Sequence, residues 1–239
     1  MIPLRDANPT RRRPWVTLAL IAANLAVFFL WEPITGTPRQ QFEFFVCHGA
    51  IPDELTDLQP IPAVDALCGG KSVLLSILTS MFVHGGFLHI AGNLLYLWVF
   101  GNNVEDRMGR PAFLLFYLLA GVMAAYSQAL TDPSSQVPLV GASGAIAGAL
   151  GAYIVMFPHA RVLTLIPIFF FLQIAELSAW LVLAFWFVLQ AFQGVGALAG
   201  DTGGVAWFAH IGGFAFGVLV AFVFYRGRPE PRAVHWPGS

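Results

Sequence analysis

Apolar positions fall in long runs broken by short polar stretches, and the runs set the architecture. A membrane-crossing helix needs about 20 mostly apolar residues. The first such run, Trp15 to Trp31, is apolar apart from Thr17 and Asn24 and follows Arg11, Arg12 and Arg13. A cleavable signal peptide is the rival reading of a basic head before an apolar stretch. No small-residue cleavage site follows Phe28-Phe29-Leu30-Trp31-Glu32-Pro33, so the run reads as a retained helix. Further spans are predicted over Gly86–Gly101, Pro111–Leu130, Val140–Phe157, Ile168–Phe192 and Val205–Tyr225. Val73–Met81 is too short to cross alone and reads as the approach to the second span. The expected fold is therefore all-α: a six-helix membrane bundle with a short, Gly/Ala-rich fourth helix and a long first outer loop. It forms a single domain over 1–239, with short cytoplasmic tails at 1–14 and 226–239 and the outer loop at about 32–72.

The placement of Lys and Arg orients the bundle. With the N-terminus cytoplasmic, the inside segments hold Arg5, Arg11, Arg12, Arg13, Arg107, Arg110, Arg161, Arg226, Arg228 and Arg232, whereas the outside segments hold only Arg39 and Lys71. Both termini are thus expected inside. In the outer loop, Phe42, Phe44, Phe45 and Val46 suit the membrane interface. The same loop contains both cysteines, Cys47 and Cys68, a possible disulfide outside the cytoplasm, with two free thiols as the alternative.

Composition agrees with this reading and excludes other classes. Of 239 residues, 57% are hydrophobic and only 10% charged, against about 25% charge in a soluble domain. Twelve basic and thirteen acidic groups give a net charge of −1, which offers no cationic footprint for nucleic acid. The lipid bilayer is the expected surroundings. The short head before Trp15, with Asp6 and no Ser/Arg-rich amphipathic segment, points to a bacterial inner membrane rather than an organelle transit peptide.

Polar side chains at membrane depth are costly and mark function. In Phe82–Asn93, His89 and Asn93 share a helical face. His84 lies five residues before His89, with no carboxylate to complete a zinc ligand set, so no metal is expected. Interhelical hydrogen bonding is the plainer alternative for this segment. In Gly141–Gly148, Ser143 begins a helix, where free N–H groups favour a developing anion; Gly144 and Gly148 read as packing positions. In Ala209–Gly217, His210, Gly213 and Gly217 share one face, and the glycines would let this helix press on the fourth. A serine needs a base to become a nucleophile, and a neutral imidazole can serve. Asn93, His89 and the Ser143 backbone N–H could stabilise the oxyanion. Asp132 and Asp201 read as loop residues and Glu176 as part of the fifth span, which leaves a Ser–His dyad rather than a triad.

From about Ser72 to Phe224 the chain resembles the rhomboid family of intramembrane serine proteases. Four motifs carry the resemblance in order: His84, His89 and Asn93; Gly101, Glu105 and Gly109; Gly141, Ser143 and Gly144; and Ala209, His210, Gly213 and Gly217. The resemblance implies a six-helix bundle around a water-filled cavity, with Ser143 as nucleophile and His210 as general base. It implies oxyanion donors at Asn93 and His89 with His84 lining the same cavity, a structural role for Glu105, and no cofactor. Substrates would be transmembrane segments of other proteins, cut near the outer surface after a small residue. They would enter beside the fifth span, with Gly194–Gly204 as a cap. Two features depart from the pattern. Ala147 stands where many members carry an aromatic that packs on the histidine, and the first outer loop lacks a Trp-Arg pair. A non-catalytic helix-binding relative would lack Ser143 or His210, and both are present. A small transporter would more often show paired broken halves, which the chain lacks.

Overall fold

The computed structural model describes residues 1–168, 171–198 and 206–226. An N-terminal strand β1 (Ile2–Asp6) precedes α1 (Trp15–Ala26), which runs on as a wider π turn over Val27–Trp31. Three short helices follow: α2 (Pro38–His48), α3 (Pro52–Asp57) and α4 (Pro62–Cys68). Each has Pro in its first turn, where a missing N–H costs nothing. Then come α5 (Val73–Ser80), α6 (Phe87–Tyr96, continued as a π turn over Leu97–Gly101), α7 (Asn102–Met108), α8 (Arg110–Thr131) and α9 (Ser143–Met156). Strands β2 (Arg161–Ile168) and β3 (Phe171–Ser178) lead into α10 (Ala179–Leu198), and α11 (Trp207–Tyr225) ends the described chain.

Among the described residues, α8 and α11 are each long and apolar enough to cross a membrane, and α4 with α5 would make a third if that pair, bent by 70°, counts as one span. Trp15–Trp31, α9 and Ala179–Val188 are shorter apolar helices. Leu30, Leu88, Leu130 and Leu219 stand exposed on the bundle surface, an arrangement that suits lipid rather than water.

Helix α9 is the axis of the bundle, buried from Gly144 through Tyr153. Its small residues let neighbours approach backbone to backbone. A Cβ at Gly213 would fall on the Gly144 carbonyl, one at Gly217 on the Gly148 carbonyl, and one at Gly151 on the Phe214 carbonyl. On its other side, Gly144 and Gly148 rest on the methyls of Ala124 and Ala120 in α8. In lipid, where apolar burial drives little association, such close packing supplies the attraction between helices.

At the far end from Ser143, the Glu105 carboxylate accepts the N–H groups of Val16 (3.0 Å) and Thr17 (2.7 Å) and the Thr17 hydroxyl (2.8 Å). It thereby satisfies the open N-terminus of α1. Gly109, at φ +84°, makes the turn from α7 into α8.

Three expectations need correction. Residues 161–178 form a β-hairpin, so the fifth helix begins at Ala179 rather than Ile168. Glu176 lies on β3 opposite Leu163, outside that helix. A continuous apolar run fits a buried strand as well as a helix, and periodicity alone cannot separate them. The first residues are not simply a tail, because β1 pairs antiparallel with β2 in the order β1-β2-β3. The buried Asp6 carboxylate locks that strand, accepting from Asn103 Nδ2 (2.7 Å) and the Tyr153 hydroxyl (2.8 Å). In the 32–72 loop, Phe42 alone of the four apolar residues is exposed, and Val46 is buried. The loop is cross-tied by a Cys47–Cys68 disulfide and by a buried Lys71–Glu54 ion pair at 2.6 Å. Asp201, Arg228, Arg232 and the tail from 227 lie outside the described residues. So does the proposed cap at Gly194–Gly204 beyond Leu198, the last residue of α10.

Candidate active site

Ser143 is the first residue of α9, so its N–H and those of the next residues have no partner within the helix. The preceding Gly141, at φ +119°, turns the chain into the helix and donates its N–H to Ser80 O (2.8 Å). On α11, His210 is buried, and its Nε2 lies 2.7 Å from Ser143 Oγ. The glycine contacts of Gly213 with Gly144 and Gly217 with Gly148 set that spacing. At this distance a proton can pass from hydroxyl to imidazole, which activates the serine. Asp132 ends α8 and Glu176 is on β3, and His210 Nδ1 has no hydrogen-bond partner among the described residues.

Ser143, His210, His89 and Asn93 all line one half-open cavity of about 460 Å³. His89 is held by its own turn, with the Gly85 N–H donating to His89 Nδ1 at 3.2 Å. An Nδ1 that accepts leaves the hydrogen on Nε2, and Nε2 sits beside Gly141, where a Cβ would stand only 2.7 Å away. Only glycine leaves room for this ring. Asn93 donates to His89 O at 3.0 Å, and its amide also borders the cavity.

His84 is elsewhere. Its ring lies 5.1 Å from that of His89 but borders a neighbouring cavity of about 280 Å³, with Glu32, Phe28 and Phe45. His84 precedes α6, which begins at Phe87, so helical spacing does not fix its ring relative to His89.

Ala147 offers no aromatic ring, but two residues that sequence reasoning passed over place theirs near His210. The ring centroids of Trp186 (α10) and Trp207 (α11) lie 5.7 Å and 6.0 Å from that of His210. Trp207 could have been flagged, being three positions before His210 on the same helix. Trp186 carried no local signal.

A family model, the Rhomboid domain, matches residues 71–227. The chain belongs to the rhomboid family. Among rhomboid relatives, the presenilin-associated rhomboid-like protein, mitochondrial, of Bos taurus is 28% identical over 209 residues, 83% of this chain and 46% of its own length. Rhomboid protein 1, mitochondrial, of Saccharomyces cerevisiae is 31% identical over 162 residues, 66% of this chain and 44% of its own length. Rhomboid protease GluP of Bacillus subtilis is 34% identical over 140 residues, 59% of this chain and 24% of its own length. The chain thus spans about half the length of the first of these relatives, or less.

Proposed function

We propose that this rhomboid protein is an intramembrane serine endopeptidase acting through a Ser143–His210 dyad. The observation that carries the reading is the 2.7 Å approach of His210 Nε2 to Ser143 Oγ in a half-open cavity that His89 and Asn93 also line. Neutral His210 takes the Ser143 proton as Oγ attacks the scissile carbonyl, then returns it to the leaving amine. Water attacks the resulting acyl-enzyme with His210 again as base. The oxyanion forms before the Ser143 N–H, His89 Nε2–H and Asn93 Nδ2–H, each such donor being worth about 3 kcal/mol. His84 has no part in this step. Glu105 keeps α1 in place, and Cys47–Cys68 braces the outer loop. The bundle has six spans: α1 and α6, each with the π turn that extends it, and α8, α9, α10 and α11. Both termini are cytoplasmic, in a bacterial inner membrane, and the cavity opens outward. Substrates are transmembrane segments of other proteins, admitted beside α10 and cut near the outer surface.

A fluorophosphonate probe tests the nucleophile. Labelling of the bilayer-embedded protein, mapped to Ser143 by mass spectrometry and lost in Ser143→Ala, is expected. Labelling elsewhere, or none, contradicts it.

A further inference from the structure

One buried carboxylate near the cavity takes no part in the dyad. Glu32 follows the π turn that ends the first span and is buried. Its Oε1 accepts the backbone N–H of His84 at 2.9 Å. The next N–H along the chain, that of Gly85, is the one that donates to His89 Nδ1. The contacts therefore run in series from the end of the first span, through two consecutive peptide groups, to the His89 ring in the cavity that Ser143 also lines. Gly86, at φ +150°, then opens α6; upstream, the Phe82 N–H is taken by Thr79 O, and Glu32 is the partner of the His84 N–H. An acceptor is needed here, because the His84 N–H precedes the helix and is buried.

We propose that Glu32 is a positioning residue for the oxyanion site: it anchors the His84–Gly85 peptides so that Gly85 holds His89 Nδ1 and leaves the Nε2 hydrogen facing Ser143. The assignment rests on the protease reading. It goes beyond that reading by placing a required group just after the first span, before the matched family region begins at residue 71. A carboxyl group suits the task because one of its oxygens can accept from the His84 N–H whether the group is charged or protonated. A glutamine side chain retains an acceptor of the same reach, and an alanine does not.

The test uses the full chain in proteoliposomes with a membrane-anchored reporter, comparing wild type, Glu32→Gln and Glu32→Ala. Glu32→Ala is expected to lower kcat about tenfold or more with KM within about threefold, and Glu32→Gln to remain within about threefold of wild type. Nitrogen-15 histidine spectra provide the second reading. Wild type and Glu32→Gln should show His89 protonated at Nε2, and Glu32→Ala should show a mixture of tautomers. Unchanged kcat in Glu32→Ala overturns the assignment. So does an unchanged His89 tautomer in that variant, even beside a lowered melting temperature. If the wild type itself cleaves nothing, the protease reading fails, and the tautomer comparison still decides whether Glu32 positions His89.

Discussion

His210 Nε2 and Ser143 Oγ stand 2.7 Å apart although 67 residues separate them in the chain. The distance is fixed one and two helical turns below, where Gly213 and Gly217 pass against the carbonyls of Gly144 and Gly148. A side chain at either glycine must push α11 off α9. Gly213→Val and Gly217→Val are each expected to cost at least about 1–3 kcal/mol of stability through overpacking. Proteolytic activity should fall more than tenfold even where the protein still folds, since a shift of 1 Å is enough. Melting curves beside reporter cleavage check this. Wild-type activity in either variant would mean that the glycine contact does not set the dyad.

Trp186 supplies a ring at 5.7 Å from His210, from a helix that carries neither residue of the dyad. Trp186→Ala is expected to lower kcat about tenfold by freeing the imidazole, whereas Trp186→Phe should recover most of the loss. Steady-state kinetics of the two variants make the comparison. Equal losses in both would show that the ring does not orient His210.

Asp6 ties β1 to Asn103 and Tyr153, and burial raises its pKa from 3.8 to about 6. A carboxyl with a raised folded-state pKa stabilises the fold fully below the unfolded value. It loses that contribution as pH rises through about 6. The difference amounts to roughly 3 kcal/mol between pH 3 and pH 8. Acidification from pH 7.5 to pH 5 is therefore expected to tighten β1, seen as slower amide exchange in Leu4 and Arg5 after correction for intrinsic rates. Asp6→Asn should abolish the dependence. Faster corrected exchange at pH 5 would contradict the sign.

The Cys47–Cys68 bond closes a loop with a sequence separation of 21 between α2 and α4. By chain entropy such a cross-link is worth about 3 kcal/mol. Reduction, or Cys47→Ser with Cys68→Ser, is expected to speed limited proteolysis between the two positions. The buried Lys71–Glu54 pair still holds one end of the loop. Unaltered proteolysis would mean that the ion pair and packing suffice.

Much of this site could be read from the chain because polar groups at membrane depth are few. Ser143 at a helix start and His210 above two glycines of one helical face stood out against apolar surroundings. Other features were hidden for physical reasons. The 161–178 hairpin reads like a helix, since its strands are as apolar as a span, and β1 pairs with residues about 160 positions away. His84 kept its motif position but turned into a second cavity. Glu32 was invisible because its partner is a backbone N–H, which every residue but proline carries. Trp186 reached His210 only through the packing of α10, which no local spacing encodes.

The most direct test of the central claim is cleavage of a single-pass membrane reporter by the purified protein in proteoliposomes, with Ser143→Ala and His210→Ala prepared alongside. Wild-type protein is expected to cut the reporter within or beside its transmembrane segment. Both variants should fold and insert normally yet lose activity by at least about a thousandfold. Cleavage at wild-type rates by either variant would contradict a Ser143–His210 dyad.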